Sequence, residues 1–588
     1  MTGGSILNYG LGTAGMSLEP SHAYEGFLYV RSGDNSTARF NVSFVSVAAD
    51  GAPQKTLASH GFTVLPSGGW KRVDFTLQLG AQGTTCSNTS SPRTACRGNP
   101  EHSCIQCDGA FQISVQEGSI IVDHVFLQPG EWGRYQGLPV RRDIAEGLFQ
   151  TMGFTVLRLG GSMCNAEGYR WKEFRGPPER RNPYRGTWYD YASGSWRIFE
   201  FLALIEAAKV HGVVTINNNE EADDMADFVE YCYGDNTTNW GRQRIRDGHA
   251  APYPPFVVEI GNEQSMSSTF VAQVSAISEA MNARAKALGL QFPLQFAIGH
   301  NFAIKPDLSP APPGHPGLNL TNAMISAVKP LGSNVFWDCH VSADDPASAP
   351  DAAAELLQAM RSHFTTMGSA MKVGVLEENG SKHSLARALS HARMNHRDST
   401  LGSFFTVETP ANCLQGLGRN DNSWDQGQLF YDPAQVWLAP TGYVQQMIAR
   451  AWQPNVLPIR SDGNKWQQTL DVLAAVDDDA SSLVLRLVNF GEGGLHAPSE
   501  EAEVSFHLEG CDAMNGTAVA VSEMWSHDPN AVNPPPPLPA GAKPQSGAPT
   551  MVHRDGGGNT AVVRYTLKPN SFTTLAIQCG ASAAKTRN

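Results

Sequence analysis

Polar and apolar residues follow two different rhythms along this chain. Up to about residue 137 the rhythm is short alternation: 26–31, 38–45, 71–78, 110–115 and 120–127 place apolar side chains at every second position, with turn-forming residues between them. A period of two puts one face of a strand in a core and the other in water. Strands of this kind at this spacing predict an antiparallel β-sandwich. After Arg142 unbroken apolar runs alternate with stretches of helical periodicity such as 199–211 and 270–288. A strand that is apolar throughout is covered on both faces, as in a parallel sheet wrapped by helices. Seven such runs can be read, at 155–161, 212–219, 256–263, 294–300, 334–341, 372–378 and 402–408. They approach a (β/α)8 TIM barrel, with the remaining strand expected between Ala222 and Pro252. From about Trp452 short strands return, at 469–476, 482–489, 503–508, 561–567 and 572–577, interrupted by an extended proline-rich loop at 534–539. The expected architecture is therefore multidomain: a β-sandwich of carbohydrate-binding-module type over 1–137, a central (β/α)8 barrel over 138–452, and a C-terminal antiparallel β-sandwich over 453–588.

The ends of the barrel runs carry the chemistry. The run 256–263 stops in Asn262 and Glu263, and the run 372–378 reaches Glu377. In a βα-barrel the last residues of a strand arrive at the C-terminal face, where active sites are built. One Glu in such a place serves equally as a helix cap or a surface charge. Two, on two strands, are what glycoside hydrolysis needs. Glu378 competes with Glu377, since only one of two neighbours on a strand points inward. Arg158 and Asn217 end the first two strands on the same rim; Arg158 reads either as the group that keeps Glu377 ionised or as half of a buried salt bridge. His340 either orients a carboxylate or hydroxyl or is a satisfied core histidine, and Trp171 and Trp424 either stack on sugar or pack under loops.

Composition narrows the partners. The 588 residues are too many for one core, and the formal charge of −13 argues against nucleic acid or an anionic membrane surface and suits a neutral ligand such as a sugar. No apolar stretch approaches the roughly 20 residues of a membrane span. No His/Asp/Glu group has ligand spacing, so neither metal nor cofactor is expected, and no Gly-x-Ser-x-Gly elbow sits between a strand and a helix. Cys86, Cys96, Cys104 and Cys107 crowd one hydrophilic loop with a glycosylation sequon at Asn88. Four thiolates would also suit zinc, but the uneven spacing and the sequon favour disulfides. Cys511 and Cys579 are placed to staple the C-terminal module, and further sequons lie at Asn35, Asn41, Asn236, Asn319, Asn379 and Asn515. The opening Met1-Thr-Gly-Gly-Ser has neither a basic nor an apolar leader region, so the expectation is a secreted or cell-wall glycoprotein whose chain has lost its leader. Oligomeric state is left open.

Taken in order, Arg158-Leu-Gly-Gly161, Tyr169-Arg-Trp-Lys172, Arg175-Gly-Pro-Pro-Glu179, Ala226-Asp-Phe-Val-Glu-Tyr-Cys232, Gly261-Asn-Glu263, Asp338-Cys-His340 and Ser571-Phe-Thr-Thr-Leu-Ala576 resemble glycoside hydrolase family 51. These are the α-L-arabinofuranosidases, and the likeness is to their plant-like eukaryotic branch, which has a carbohydrate-binding-type sandwich before the barrel. The resemblance implies a retaining hydrolase that releases terminal non-reducing α-L-arabinofuranosyl residues from arabinose-containing polysaccharides or glycans. By position it makes Glu263 the general acid/base and Glu377 the nucleophile, with carboxyl groups roughly 5–5.5 Å apart. Asn262 would bond the sugar hydroxyl beside the reacting centre.

The chain departs from the family in three places. The family's opening strand, with its Phe-Glu-Glu type motif, has no counterpart before Met1, which implies either an incomplete gene product or a site built without it. Glu378 and Ser342 stand where aromatics normally brace the nucleophile, and Leu159-Gly-Gly followed by Ser162 replaces a Phe-Pro-Gly-Gly turn followed by Cys or Asn. Two other functions therefore stay open: a glycosidase of the same clan acting on β-xylan or β-glucan, and a carbohydrate-binding pseudoenzyme. The sequon at Asn379 is expected to be unmodified, because a glycan there would crowd the pocket.

Overall fold

The computed structural model describes residues 4–66, 68–89, 104–300, 316–418, 425–461, 468–491, 500–537, 539–555 and 560–580. They divide into two compact units. The first comprises Met1–Thr151 with Leu414–Asp425 and Leu429–Leu438; the second comprises Met152–Cys413, Gln426–Gln428 and Ala439–Asn588.

In the first unit the alternating segments form nine strands: β1 (Ser5–Asn8), β2 (Ala23–Ser32), β3 (Ala38–Val47), β4 (Pro53–Val64), β5 (Lys71–Gln78), β6 (Cys86–Thr89), β7 (Cys104–Cys107), β8 (Gly109–Glu117) and β9 (Ile120–Pro129). Two antiparallel sheets, β1-β8-β3-β4 and β5-β2-β9, share one apolar core. Leu28 and Val30 of β2, Phe40, Val42 and Phe44 of β3, Phe75 and Leu77 of β5, and Phe111 and Ile113 of β8 fill it. Each set sits at every second position, the period that the strand pleat imposes. Cys86 and Cys107 form a disulfide across β6 and β7; Cys96 lies outside the described residues.

The second unit is built on seven parallel strands in sequence order: β10 (Val156–Leu159), β11 (His211–Ile216), β12 (Val257–Gln264), β13 (Gln295–His300), β14 (Val335–Ser342), β15 (Lys372–Asn379) and β16 (Phe405–Pro410). The outermost two, β10 and β16, approach each other, so the sheet is a nearly closed barrel. Its interior is layered. Val156, Val213, Val257, Ala297, Phe336, Leu376 and Val407, one from each strand, pack together. Two residues further along, Arg158, Thr215, Glu259 and Asp338 make a polar layer. The site lies beyond that layer, at the carboxyl ends of the strands.

The expected strand between Ala222 and Pro252 is not there. That stretch forms two helices, Ala222–Tyr233 and Asn239–Arg246. Met225, Phe228, Val229 and Cys232 recur at helical spacing and are all buried, so the segment covers the barrel from outside instead of entering it. Among the described residues the barrel thus has seven strands, not eight. The helices between strands start where the sequence supplies a cap: Ser267 Oγ accepts from the Phe270 amide at 3.0 Å, and Ser384 caps Leu385–Ser399. Beyond the barrel, Leu470–Val476, Ser482–Asn489, Ser571–Gln578 and Ala518–Trp525 run antiparallel in one sheet, and Ala502–Leu508 pairs with Ala561–Leu567 in another. A common apolar cluster joins them, closed by a Cys511–Cys579 disulfide. Leu385, Leu389 and Ala392 of the last barrel helix pack with Val488, Phe490 and Phe572, which ties this module to the barrel.

Candidate active site

The site begins with a break in β12. Between Ile260 and Gln264 the pairing with β13 shifts register, Gly261 takes φ +74° and Glu263 takes φ +49°. Only a glycine fits this crossing: a Cβ on Gly299 would lie 1.9 Å from the Gly261 carbonyl oxygen, so the two backbones touch. A non-glycine residue in the left-handed region costs about 1 kcal/mol, and such conformations gather where function fixes them. Here the bulge turns both Asn262 and Glu263 towards the barrel mouth, which regular alternation would forbid.

Arg158 and His340 then draw the site together. Arg158, at the end of β10, donates to both oxygens of Glu259 (Nε to Oε2 2.7 Å, Nη2 to Oε1 2.6 Å), to Glu377 Oε1 from Nη1 at 2.9 Å, and to Asn262 Oδ1 at 2.7 Å. His340 lies between the two candidate catalytic carboxylates. Its Nδ1 is 3.0 Å from Glu263 Oε1 and 3.5 Å from Glu377 Oε2, and its Nε2 is 2.8 Å from Asp338 Oδ2. Ligand atoms of Glu263, His340 and Glu377 all lie within 4.8 Å of one another. Glu263 is the open member, its side chain 33% exposed against 16% for Glu377 and 5% for His340.

The charges follow from these contacts. Burial works to neutralise His340, but the Asp338 charge and hydrogen bond, the hydrogen bond to Glu263 and the Glu377 charge raise its pKa to about 10, so it is an imidazolium at neutral pH and donates from both nitrogens. Burial likewise pushes Glu377 up, and His340 and Arg158 together overcome it and hold the carboxyl below its usual range. Burial raises Glu259 to about 6 against the pull of Arg158. Asp338 stays low despite its burial because His340 and Arg158 face it and the Leu376 amide donates to it at 2.9 Å. Asn379 Nδ2 donates to Glu377 Oε2 at 3.2 Å. Glu378 points the other way, where His391 Nδ1 meets its Oε2 at 2.6 Å.

Asn262 is fully buried, and its Nδ2 has no hydrogen-bond partner. A buried donor left unpaired costs about 1–3 kcal/mol, so it marks a place where an acceptor belongs. Asn217 is near the same rim but locally committed: its Nδ2 donates to the Ala166 carbonyl at 2.9 Å and its Oδ1 accepts from the Asn219 amide at 2.9 Å. Trp171 is not part of the site. It is 1% exposed, packs against Phe228, Tyr231 and Trp240, and gives its indole N–H to the Asp224 carbonyl at 2.9 Å, leaving no ring face for a sugar. Trp424 lies outside the described residues. Glu259, Asp338 and Asn379 were given no role in the site from the sequence. Glu259 and Asp338 carried a signal nonetheless: a charge inside an otherwise apolar barrel strand must have a buried partner. Among the described residues, carboxylates and histidines gather in space in three groups that could hold a metal, around Glu263, Glu259 and Glu378. Linear spacing does not reveal such groups, and Arg158, His340 and His391 already supply each of them with positive charge.

Comparison with known proteins places this geometry. Residues 148–293 match the Alpha-L-arabinofuranosidase 1 domain. The chain resembles glycoside hydrolase family 51. Alpha-L-arabinofuranosidase 2 of Arabidopsis thaliana is 25% identical over 341 residues, 52% of this chain and 45% of the relative. The Extracellular exo-alpha-L-arabinofuranosidase of Streptomyces chartreusis is 24% identical over 313 residues, 48% of this chain and 34% of the relative. The matched stretches thus span less than half the length of these curated relatives. Among solved structures, the arabinose-bound MgGH51 α-L-arabinofuranosidase superposes with a TM-score of 0.68 at 16% identity, covering 98% of this chain and 86% of that one. The Thermotoga maritima α-L-arabinofuranosidase in its arabinose complex gives 0.59 at 16% identity, over 75% and 90%. The fold of the chain is therefore TIM-barrel-like. No helix among its described residues is long and apolar enough to cross a membrane.

Proposed function

We propose that the chain is a retaining, exo-acting α-L-arabinofuranosidase that removes terminal α-L-arabinofuranosyl groups from arabinose-containing polysaccharides or glycans, outside the cell. The observation that carries this is the pair Glu263 and Glu377, with carboxylate oxygens within 4.8 Å and His340 between them. Oxygens this near suit the closer carboxyl spacing of double displacement, roughly 5–5.5 Å, better than the wider spacing that admits a water. Glu377, kept ionised by Arg158 and His340, attacks the anomeric carbon. Glu263 delivers a proton to the leaving oxygen and then removes one from the incoming water; its partial exposure lets it exchange protons between the steps. Asn262 offers its unpaired Nδ2 to the hydroxyl beside the reacting carbon, and that bond tightens as charge develops. The same proposal keeps the domain scheme of a β-sandwich over 1–137, the barrel over 138–452 and a second β-sandwich over 453–588.

The test is release of nitrophenol from the aryl α-L-arabinofuranoside by the chain and by Glu377→Ala, together with proton NMR of the anomer first released. Loss of turnover by several orders of magnitude in the variant, with retention in the parent, is expected. Inversion, or turnover that survives Glu377→Ala, overturns the assignment; sugar binding without turnover by the parent makes the chain a pseudoenzyme.

A further inference from the structure

A second cluster of charge lies directly behind the strand that carries Glu377. β15 loses its regular ladder as it reaches the site, shifting register against both β14 and β16 before Glu378. Backbone pairing alone therefore does not fix this strand end, and side chains take over. Glu378 is wholly buried on the far side of β15 from the site. The helix Leu385–Ser399 meets it with one face, on which Arg387, His391, Asn395 and Asp398 follow one another at helical spacing. His391 Nδ1 donates to Glu378 Oε2 at 2.6 Å, and its Nε2 lies 3.3 Å from Gln445 Oε1. Arg387 Nη2 donates to the Glu378 carbonyl at 2.9 Å. Glu408 joins from β16: its Oε2 accepts from Asn395 Nδ2 at 2.9 Å, and its Oε1 is 3.8 Å from His391 Nδ1.

Each of the two carboxyls has one satisfied oxygen and one bare one. Oε1 of Glu378 and Oε1 of Glu408 have no hydrogen-bond partner among the described residues, yet ligand atoms of Glu378, His391 and Glu408 all lie within 4.8 Å of one another. Two ionised carboxylates so close and so buried repel each other strongly. One proton between the bare oxygens removes that repulsion and pairs both, in a short, charge-assisted bond. The neighbouring charges fit this count. Arg387 spends its guanidinium on the carbonyls of Glu378, Ala411 and Gln426, and Arg486 donates to Asn395. The one negative charge left on the pair thus faces the His391 imidazolium. Asp398 and Cys339 stay neutral: burial, then the Glu408 and Glu378 charges, push the Asp398 carboxyl well up, and burial raises the Cys339 thiol. We propose that Glu378, His391 and Glu408 are positioning residues for the nucleophile: Glu408 and Glu378 share a proton, and the pair, anchored on His391, fixes the end of β15 so that Glu377 stays aimed at the anomeric carbon. The effect on turnover rests on the reading of Glu377 given above; the effect on stability rests on the cluster alone.

Burial and the Glu378 charge raise Glu408 to about 8 against the pull of His391. A carboxyl raised on folding contributes stability that is full below its unfolded value and is lost as pH rises through its folded value. Burial works to lower His391, but the charge and hydrogen bond of Glu378 raise it to about 9, so its contribution is lost in the same direction. The experiment compares the full chain with Glu408→Gln and Glu408→Ala, in thermal melts and in kcat and KM on the aryl α-L-arabinofuranoside across pH. Glutamine copies the protonated carboxyl, accepting from Asn395 and donating to Glu378, and has no proton to lose. Glu408→Gln should melt like the parent at about pH 5 and above it at about pH 9, with kcat at neutral pH within about twofold of the parent. Glu408→Ala removes the bridge and should lower kcat about tenfold with KM little changed. A Glu408→Gln variant that melts no higher than the parent at the alkaline end, a Glu408→Ala variant that keeps the parent's kcat, or a stoichiometric metal in the purified chain that Glu408→Gln loses would each overturn the proposal. No turnover by the parent would remove the hydrolase reading and the positioning role with it, while the melts would still decide the shared proton.

Discussion

Arg158→Lys tests the electrostatics of the site most directly. The guanidinium makes four short hydrogen bonds, two to Glu259, one to Glu377 and one to Asn262, with only 7% of its side chain exposed. Lysine keeps the charge but offers its donors from one point on a differently shaped stem, so it can follow Glu259 or Glu377 and not both. Glu259 is wholly buried and has the stronger claim. Glu377 then loses a charge-assisted hydrogen bond worth roughly 1.5–3 kcal/mol, and the whole change falls near the roughly 3–5 kcal/mol of a broken buried ion pair. If most of this appears in the transition state, kcat falls by about 10²–10³. The sign of the pH effect is also fixed. Arg158 helps hold Glu377 below the usual carboxylate range, so the variant's Glu377 titrates at higher pH and the acid limb of kcat/KM moves upward. A group lowered on folding stabilises the protein above its unfolded pKa and loses that contribution as pH falls through its folded value. The variant should therefore also begin to lose stability at a higher pH on acidification. The assay is a pH series of kcat and kcat/KM on the aryl arabinofuranoside, with thermal melts in the same buffers. A variant within threefold of the parent in kcat, with an unmoved acid limb, would refute the role given to Arg158.

Two further outcomes are expected. Asn262→Ala removes the buried Nδ2 and should lower kcat about 10²-fold with little change in KM, since the bond to the sugar strengthens in the transition state; a rise in KM alone would mean that it only binds the ground state. Asn379 should be recovered unglycosylated by peptide mass spectrometry, because its Nδ2 is engaged with Glu377 and the residue is half-buried; an occupied Asn379 in active protein would contradict the site described.

Periodicity by itself separated the regions of alternating strands from the region of apolar runs, because burial on one face or both leaves a direct imprint on residue order. It also put Glu263, Glu377, Arg158 and His340 at strand ends, since an apolar run that stops in a charge has reached the end of the barrel interior. Alternation sets Glu377 and Glu378 on opposite faces, but β15 shifts register against both neighbouring strands between Gly374 and Glu378, so which of the two enters the site was decided by tertiary pairing. The rest depended on contacts between distant segments. Helical and strand readings of 222–252 could be told apart only once Met225, Phe228 and Cys232 had a barrel wall to pack against. Trp171 became a core residue because Phe228, Tyr231 and Trp240, far along the chain, close over its ring. The bulge that turns Asn262 and Glu263 to one side depends on Gly299 of the neighbouring strand, and the pKa values of His340 and Glu377 depend on Asp338 and Arg158. Local order records which side of an element is buried. It does not record what lies across from it, and charge, strain and catalytic geometry are all set by that neighbour.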